Sequence, residues 1–154
     1  MSKTPEFDTA KAHRYFAVTC FNKTWDLIDK SDRTAEENEE MIRLTHASIW
    51  HWTQREDCKS TNLSIGYWQA SRVYALAGRI EDARRYGELC LKHSHQEVPF
   101  YLGYAYEALA RAEKLAGNKE LAAKHLAEAY RLAHQVEEAD ERKFLMNDLN
   151  SLDS

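Results

Sequence analysis

The sequence predicts an all-α fold of antiparallel helical hairpins, stacked as a short α-solenoid and closed by a C-terminal capping helix. The first observation behind this is an internal repeat. After a shift of 39 positions, Tyr67 meets Tyr106, Arg72 meets Arg111, and Leu76-Ala77-Gly78 meets Leu115-Ala116-Gly117. Glu81 then meets Glu120, Ala83 meets Ala122, and His95 meets His134. The second observation is punctuation: with Pro 2 and Gly 5, the chain has few residues that break helices. The third is that the apolar residues between these breaks recur at helical intervals.

Residues 1 to 7 read as a lead-in with Pro5 marking a turn. Asp8 or Thr9 caps a first helix running to about Ile28, with Tyr15/Phe16, Thr19/Cys20 and Trp25/Ile28 on its apolar face. Lys30-Ser31-Asp32-Arg33 is a polar break. Thr34 followed by Glu37 has capping-box spacing, and the second helix is predicted from Ala35 to about Gln54. Its acidic first turns suit the positive end of the helix dipole, and its later turns carry Ile49, Trp50 and Trp52. After the connector at 55–59, Ser60 or Thr61 opens a third helix that ends at Gly78, a residue suited to the left-handed C-cap. A fourth helix is predicted from Ile80 to about Lys92. Pro99 opens the fifth, which reaches Ala116 before Gly117. A sixth covers about Lys119 to Gln135, and a last one runs from about Glu138 to Leu149 with Phe144/Leu145 and Leu149 on one stripe. The predicted organisation is one helical-repeat domain over 1–154, comprising a divergent hairpin at 8–54, repeats at 61–95 and 99–135, and a capping helix at 138–150.

Composition removes several function classes. The formal net charge is -4, with no long block of like charge, so bulk electrostatics give no case for nucleic-acid binding. No apolar run approaches the ~20 residues of a membrane span, and the N-terminal residues lack the apolar centre of a secretory signal. Cys20, Cys58 and Cys90 are odd in number and far apart, without metal or redox spacing. They read as small core residues of a protein in a reducing cytoplasm. No Gly-x-Ser-x-Gly and no Gly-rich phosphate loop occurs, so nothing points to nucleophilic catalysis or a nucleotide cofactor. His93 and His95, with His51, raise the question of metal. They lack His-Glu-x-x-His or Cys-x-x-Cys company, and they read as solvated positions near helix ends.

The repeats resemble tetratricopeptide repeats, which alternate aromatic and small residues in a helix pair. In the first copy the matching residues are Tyr67/Trp68, Ala70-Ser71, Tyr74, Gly78, Ala83, Cys90 and Leu91. In the second they are Tyr106, Leu109-Ala110, Gly117, Ala122, Leu126, Ala129 and Tyr130. Small residues such as Ser71 and Ala83 suit a close approach of two helices. The pattern departs from the family in three ways. The period is 39 rather than about 34, Glu113 stands at an aromatic position, and Gly87 stands at a bulky one. Further stretches, His46-Ala47-Ser48, His51-Trp52 and Ser71-Arg72-Val73-Tyr74-Ala75, resemble a group of bacterial helical-repeat proteins, a likeness that implies no activity.

The resemblance implies a concave groove lined by the first helix of each pair. It assigns Ile65, Trp68, Arg72 and Leu76 to that groove from the first copy, and Tyr104, Glu107, Arg111 and Lys114 from the second. Arg72 and Arg111 would lie side by side, and two guanidinium forks with Lys114 suit a carboxylate on a peptide or protein partner. Trp68 and Tyr104 would be apolar anchors. The competing reading pairs both arginines with Glu107 or Glu113 on a solvated face. A second candidate is the cluster His46, Trp50, His51 and Trp52, which with Trp25 and Trp68 would line an aromatic pocket for a small cation or flat ligand. Its competing reading is a tryptophan-rich core. The leading expectation is therefore a non-enzymatic binding module without a cofactor. A small-molecule-binding or enzymatic protein built on the second cluster is the alternative, and self-association into a homo-oligomer is a third possibility.

Overall fold

The structure is a computed structural model that describes residues 6–154. The expected turn at Pro5 lies outside the described residues. Among those residues the chain is all-helical, with seven helices: α1 Thr9–Ile28, α2 Ala35–Thr53, α3 Ser60–Leu76, α4 Ile80–Ser94, α5 Pro99–Ala116, α6 Lys119–Ala133 and α7 Ala139–Asp153. No described helix is long and apolar enough to cross a membrane. The helices form two compact units, the first ending at Lys59 and the second beginning at Ser60.

Local chemistry sets the boundaries of the first unit. The Asp8 carboxylate accepts from the Lys11 amide and caps α1. Thr34 and Glu37 form the expected capping box, with the Glu37 amide donating to the Thr34 hydroxyl (3.1 Å) and the Thr34 amide donating to Glu37 Oε2 (2.9 Å). Between the two helices, Arg33 folds back to donate to the carbonyls of Leu27 and Ile28 at the end of α1 and of Lys30 in the turn. The helices then pack against each other. Ala17, Thr24 and Ile28 of α1 are buried, as are Met41, Ile42, Thr45, Ser48 and Ile49 of α2. Ser48 donates across to the Ala17 carbonyl at 2.7 Å, a bond that requires close backbones.

The second unit repeats one turn. Gly78 and Gly117 hold φ of 76° and 81°, the left-handed region that residues with a Cβ avoid. After Gly78 the Arg79 amide reaches back to the Tyr74 carbonyl (2.9 Å), and after Gly117 the Asn118 amide reaches back to the Glu113 carbonyl (3.0 Å). This is the same helix-ending pattern at equivalent positions. α3 packs on α4 and on α5, α4 packs on α5, and α5 packs on α6; α7 lies against both α5 and α6.

Small residues make the approaches close. The Ser71 hydroxyl donates to the Ala83 carbonyl at 2.8 Å, joining α3 to α4. A Cβ at Gly87 would come within 3.0 Å of Leu109, which accounts for glycine where the repeat pattern asks for bulk. A Cβ at Gly103 would lie 2.6 Å from Leu145, so α7 rests directly on that backbone. Around this contact Ala129, Ala133, Val136, Leu145 and Leu149 form a buried cluster, with Phe100, Tyr104, Tyr106, Leu126, Tyr130 and Met146 packed against it. α7 therefore covers an apolar face that α5 and α6 would otherwise expose.

Candidate functional site

Four of the six groove residues form one connected group in the second unit. The Trp68 ring meets the Tyr104 ring edge-on, with centroids 5.4 Å apart. The Trp68 indole nitrogen donates to Glu107 Oε2 at 2.8 Å. One helical turn further along α5, Arg111 Nη2 pairs with Glu107 Oε1. That contact is an ion pair rather than an aligned hydrogen bond, because Oε1 has no hydrogen-bond partner by geometry. Arg111 Nη1 is also buried, and it has no acceptor among the described residues. Glu107 is 0% exposed, so its carboxylate lies inside the unit and holds Trp68 and Arg111 from behind.

The remaining two residues lie as follows. Arg72 is half-buried on α3 at the position equivalent to Arg111. Lys114 is turned to the end of α7, where its ammonium donates to the carbonyls of Leu152 (2.5 Å) and Ser154 (3.0 Å). Positive charge is favourable at that helix end. Tyr104 is likewise engaged by α7, its hydroxyl donating to Asp148 Oδ2 at 2.7 Å. Burial, and then the neighbouring Asp148 carboxylate, push the Tyr104 phenol well above its ordinary range, so it stays a neutral donor.

Glu113, the other acidic residue considered as an arginine partner, serves Arg84 instead. Arg84 Nε donates to Oε1 at 2.6 Å and Nη2 to Oε2 at 3.2 Å, while Asn118 Nδ2 adds a bond of 2.6 Å. This brace joins α4, α5 and the turn after α5. The Arg84 guanidinium is the main reason that the Glu113 carboxyl is held below the usual carboxylate range. Nothing in the spacing of the sequence marks Arg84 for this role.

The second cluster divides between the two units. Trp68 belongs to the second, in the group just described. In the first unit, Trp50 and His51 gather with His13 and Phe16 of α1, two residues that sequence reasoning did not select. His13 Nδ1 and His51 Nδ1 are 2.8 Å apart. The Trp50 ring lies 4.9 Å from the His51 ring and 5.6 Å from the His13 ring, and the Phe16 ring lies 5.4 Å from that of His51. Trp50 is 55% exposed. His46 is half-buried on the same helix as His51. Burial chiefly, and then the nearby His13, hold the His51 pKa below its usual value, so the ring favours its neutral form. A helical spacing test on α1 would have drawn attention to His13 and Phe16, three residues apart. Their partner across the hairpin depends on register, which no pattern within α1 encodes.

His93 stacks on Tyr67, with centroids 5.4 Å apart, and His95 is the C-cap of α4. No group of three or more His, Cys, Asp or Glu able to hold a metal ion occurs among the described residues. Cys90 is fully buried, and burial pushes its thiol up to about 12, which suits a structural thiol rather than a nucleophile.

No protein-family model matches this chain, and no curated protein or solved structure matches it. The fold and site therefore define it by their own features: among the described residues, an all-helical protein with a Trp-Glu-Arg group around a buried carboxylate in one unit and a paired-histidine aromatic cluster in the other.

Proposed function

We propose that residues 60–154 form a tetratricopeptide-like array acting as a non-enzymatic binding module, which holds a peptide or protein partner through a carboxylate. The packing order of α3 to α7 and the matched turns at Gly78 and Gly117 support the array. The observation that carries the binding reading is Arg111 Nη1, a buried cationic donor with no acceptor among the described residues. Leaving such a donor unsatisfied costs roughly 1–3 kcal/mol or more, and a partner's oxygen drawn to this side chain, which is 13% exposed, would relieve that cost. Glu107 fixes the other side of the guanidinium, and Trp68 beside it supplies an apolar wall. Arg72, one repeat earlier, adds a second positive charge. Three free cysteines suit a reducing, cytoplasmic setting.

The test is a library of short peptides screened with free and with amidated C-termini, against the native chain and the variants Arg111→Gln and Arg72→Ala. Binding that needs the free acid and falls in Arg111→Gln is the expected result. Equal capture of acid and amide, or undiminished binding in a folded Arg72→Ala/Arg111→Gln chain, removes the reading.

A small-molecule or enzymatic site at Trp50 and His51 has its own support in the exposed indole beside two imidazoles. A tryptophan-fluorescence screen of metabolites tests it, with a specific response required to weaken in His51→Gln.

A further inference from the structure

The first unit places two imidazole nitrogens against each other. His13 is on α1 and His51 on α2, and their Nδ1 atoms are 2.8 Å apart. In a neutral pair, one Nδ1–H donates and the other Nδ1 accepts. The same separation is found between two adjacent ligands on one metal ion, reached from the hydrogen-bonded pair by a turn of each ring. With metal–nitrogen bonds of about 2.0 Å, neighbouring corners of a square-planar or tetragonal ion lie about 2.8 Å apart, whereas two corners of a tetrahedral ion lie about 3.3 Å apart. The observed separation suits the first geometry.

We propose that His13 and His51 form a two-histidine site for a divalent transition-metal ion of tetragonal preference, Cu(II) or Ni(II), which bridges α1 and α2. Both rings bind through Nδ1. The proton on one Nδ1 moves to the Nε2 of the same ring, so each imidazole remains neutral and no net proton is released from the neutral pair. Water fills the other coordination positions, because no third His, Cys, Asp or Glu joins the two rings among the described residues. Both residues are half-buried, and the indole of Trp50 and the ring of Phe16 flank the pair. The suppressed protonation of His51 helps keep a lone pair ready for the ion. Imidazole is a ligand class these ions accept well, and copper stands highest in the affinity order for such a site. The inference does not depend on the groove of the second unit.

The test uses the whole chain without an affinity tag, titrated with Cu(II) chloride and followed by tryptophan fluorescence. The expected result is one bound equivalent that quenches Trp50, and a Cu(II) electron-paramagnetic-resonance spectrum showing coupling to two imidazole nitrogens. His13→Gln and His51→Gln should each lose that equivalent and the quench, while His46→Gln and His93→Gln keep both. The native chain should also melt at higher temperature with the metal than without it, and His51→Gln should show no such shift. An unchanged equivalent in the His13→Gln/His51→Gln chain overturns the proposal. Should that variant not fold, a native spectrum lacking two-nitrogen coupling overturns it equally.

Discussion

The indole of Trp68 on α3 donates to the carboxylate of Glu107 on α5 across 2.8 Å, and the acceptor has no exposure to solvent. Two residues exactly one repeat apart thus tie neighbouring helices together, and the same carboxylate steadies Arg111. Removing it takes the ion-pair partner from Arg111 and an acceptor from the Trp68 indole. Glu107→Ala is expected to destabilise the fold by about 3–5 kcal/mol, the loss typical of breaking a buried ion pair on one side. Trp68→Phe, which deletes one hydrogen bond to a charged group, should cost about 1.5–3 kcal/mol. Replacing the pair together, as Glu107→Leu/Arg111→Met, should recover part of the loss. Urea unfolding measures all three, and a Glu107→Ala chain as stable as the native one contradicts the arrangement.

Gly103 and Gly87 should respond differently to alanine. In either helix, alanine gains about 1 kcal/mol in propensity. At Gly103 the new Cβ falls 2.6 Å from the side chain of a fully buried Leu145, and overpacking of that kind costs about 1–3 kcal/mol. At Gly87 the nearest atom is at 3.0 Å and only a small shift is needed. Gly103→Ala is expected to lower stability and to speed amide exchange in α7, while Gly87→Ala stays near neutral. A more stable Gly103→Ala chain means that α7 does not rest where the contact places it.

Acid should act through Glu113. Its carboxyl is held below the ordinary range, first by Arg84 and with further help from Asn118. A depressed carboxylate contributes stability above its unfolded pKa, and that contribution is lost as pH falls through the folded value. The native chain should therefore lose more stability between about pH 7 and pH 3 than Glu113→Gln does, since the unfolded carboxyl titrates near 4.3. Denaturant midpoints at the two pH values give the comparison, and parallel losses in both chains rule out the brace as an acid-sensitive contact.

Thiol reactivity should separate the three cysteines. Cys90 is buried, donates to the Ser64 carbonyl at 3.3 Å, and lies 3.8 Å from the Ser94 hydroxyl. Cys20 and Cys58 are half-buried. Alkylation near pH 8 is expected to modify Cys20 and Cys58 while the chain is folded, and Cys90 only after denaturant is added. Peptide mass mapping reads this directly; early modification of Cys90 excludes the packing described for α3 and α4.

Helix positions were legible along the chain because their causes lie within a few residues of each other. The Thr34–Glu37 box, Pro99 at the start of α5, and glycine at 78 and 117 act through their own turn, and each operates where spacing placed it. The all-helical class followed from these and from the repeat. Tertiary structure decided what the polar side chains do. Glu107 and Glu113 lie on one helix and look alike in sequence, yet one closes on Trp68 and Arg111 and the other on Arg84. Likewise His13 meets His51 from 38 positions away. Such pairings depend on the register and approach of whole helices, quantities set by small-residue contacts such as Ser71 on Ala83 and Gly103 under Leu145, and no periodicity within a single helix carries them.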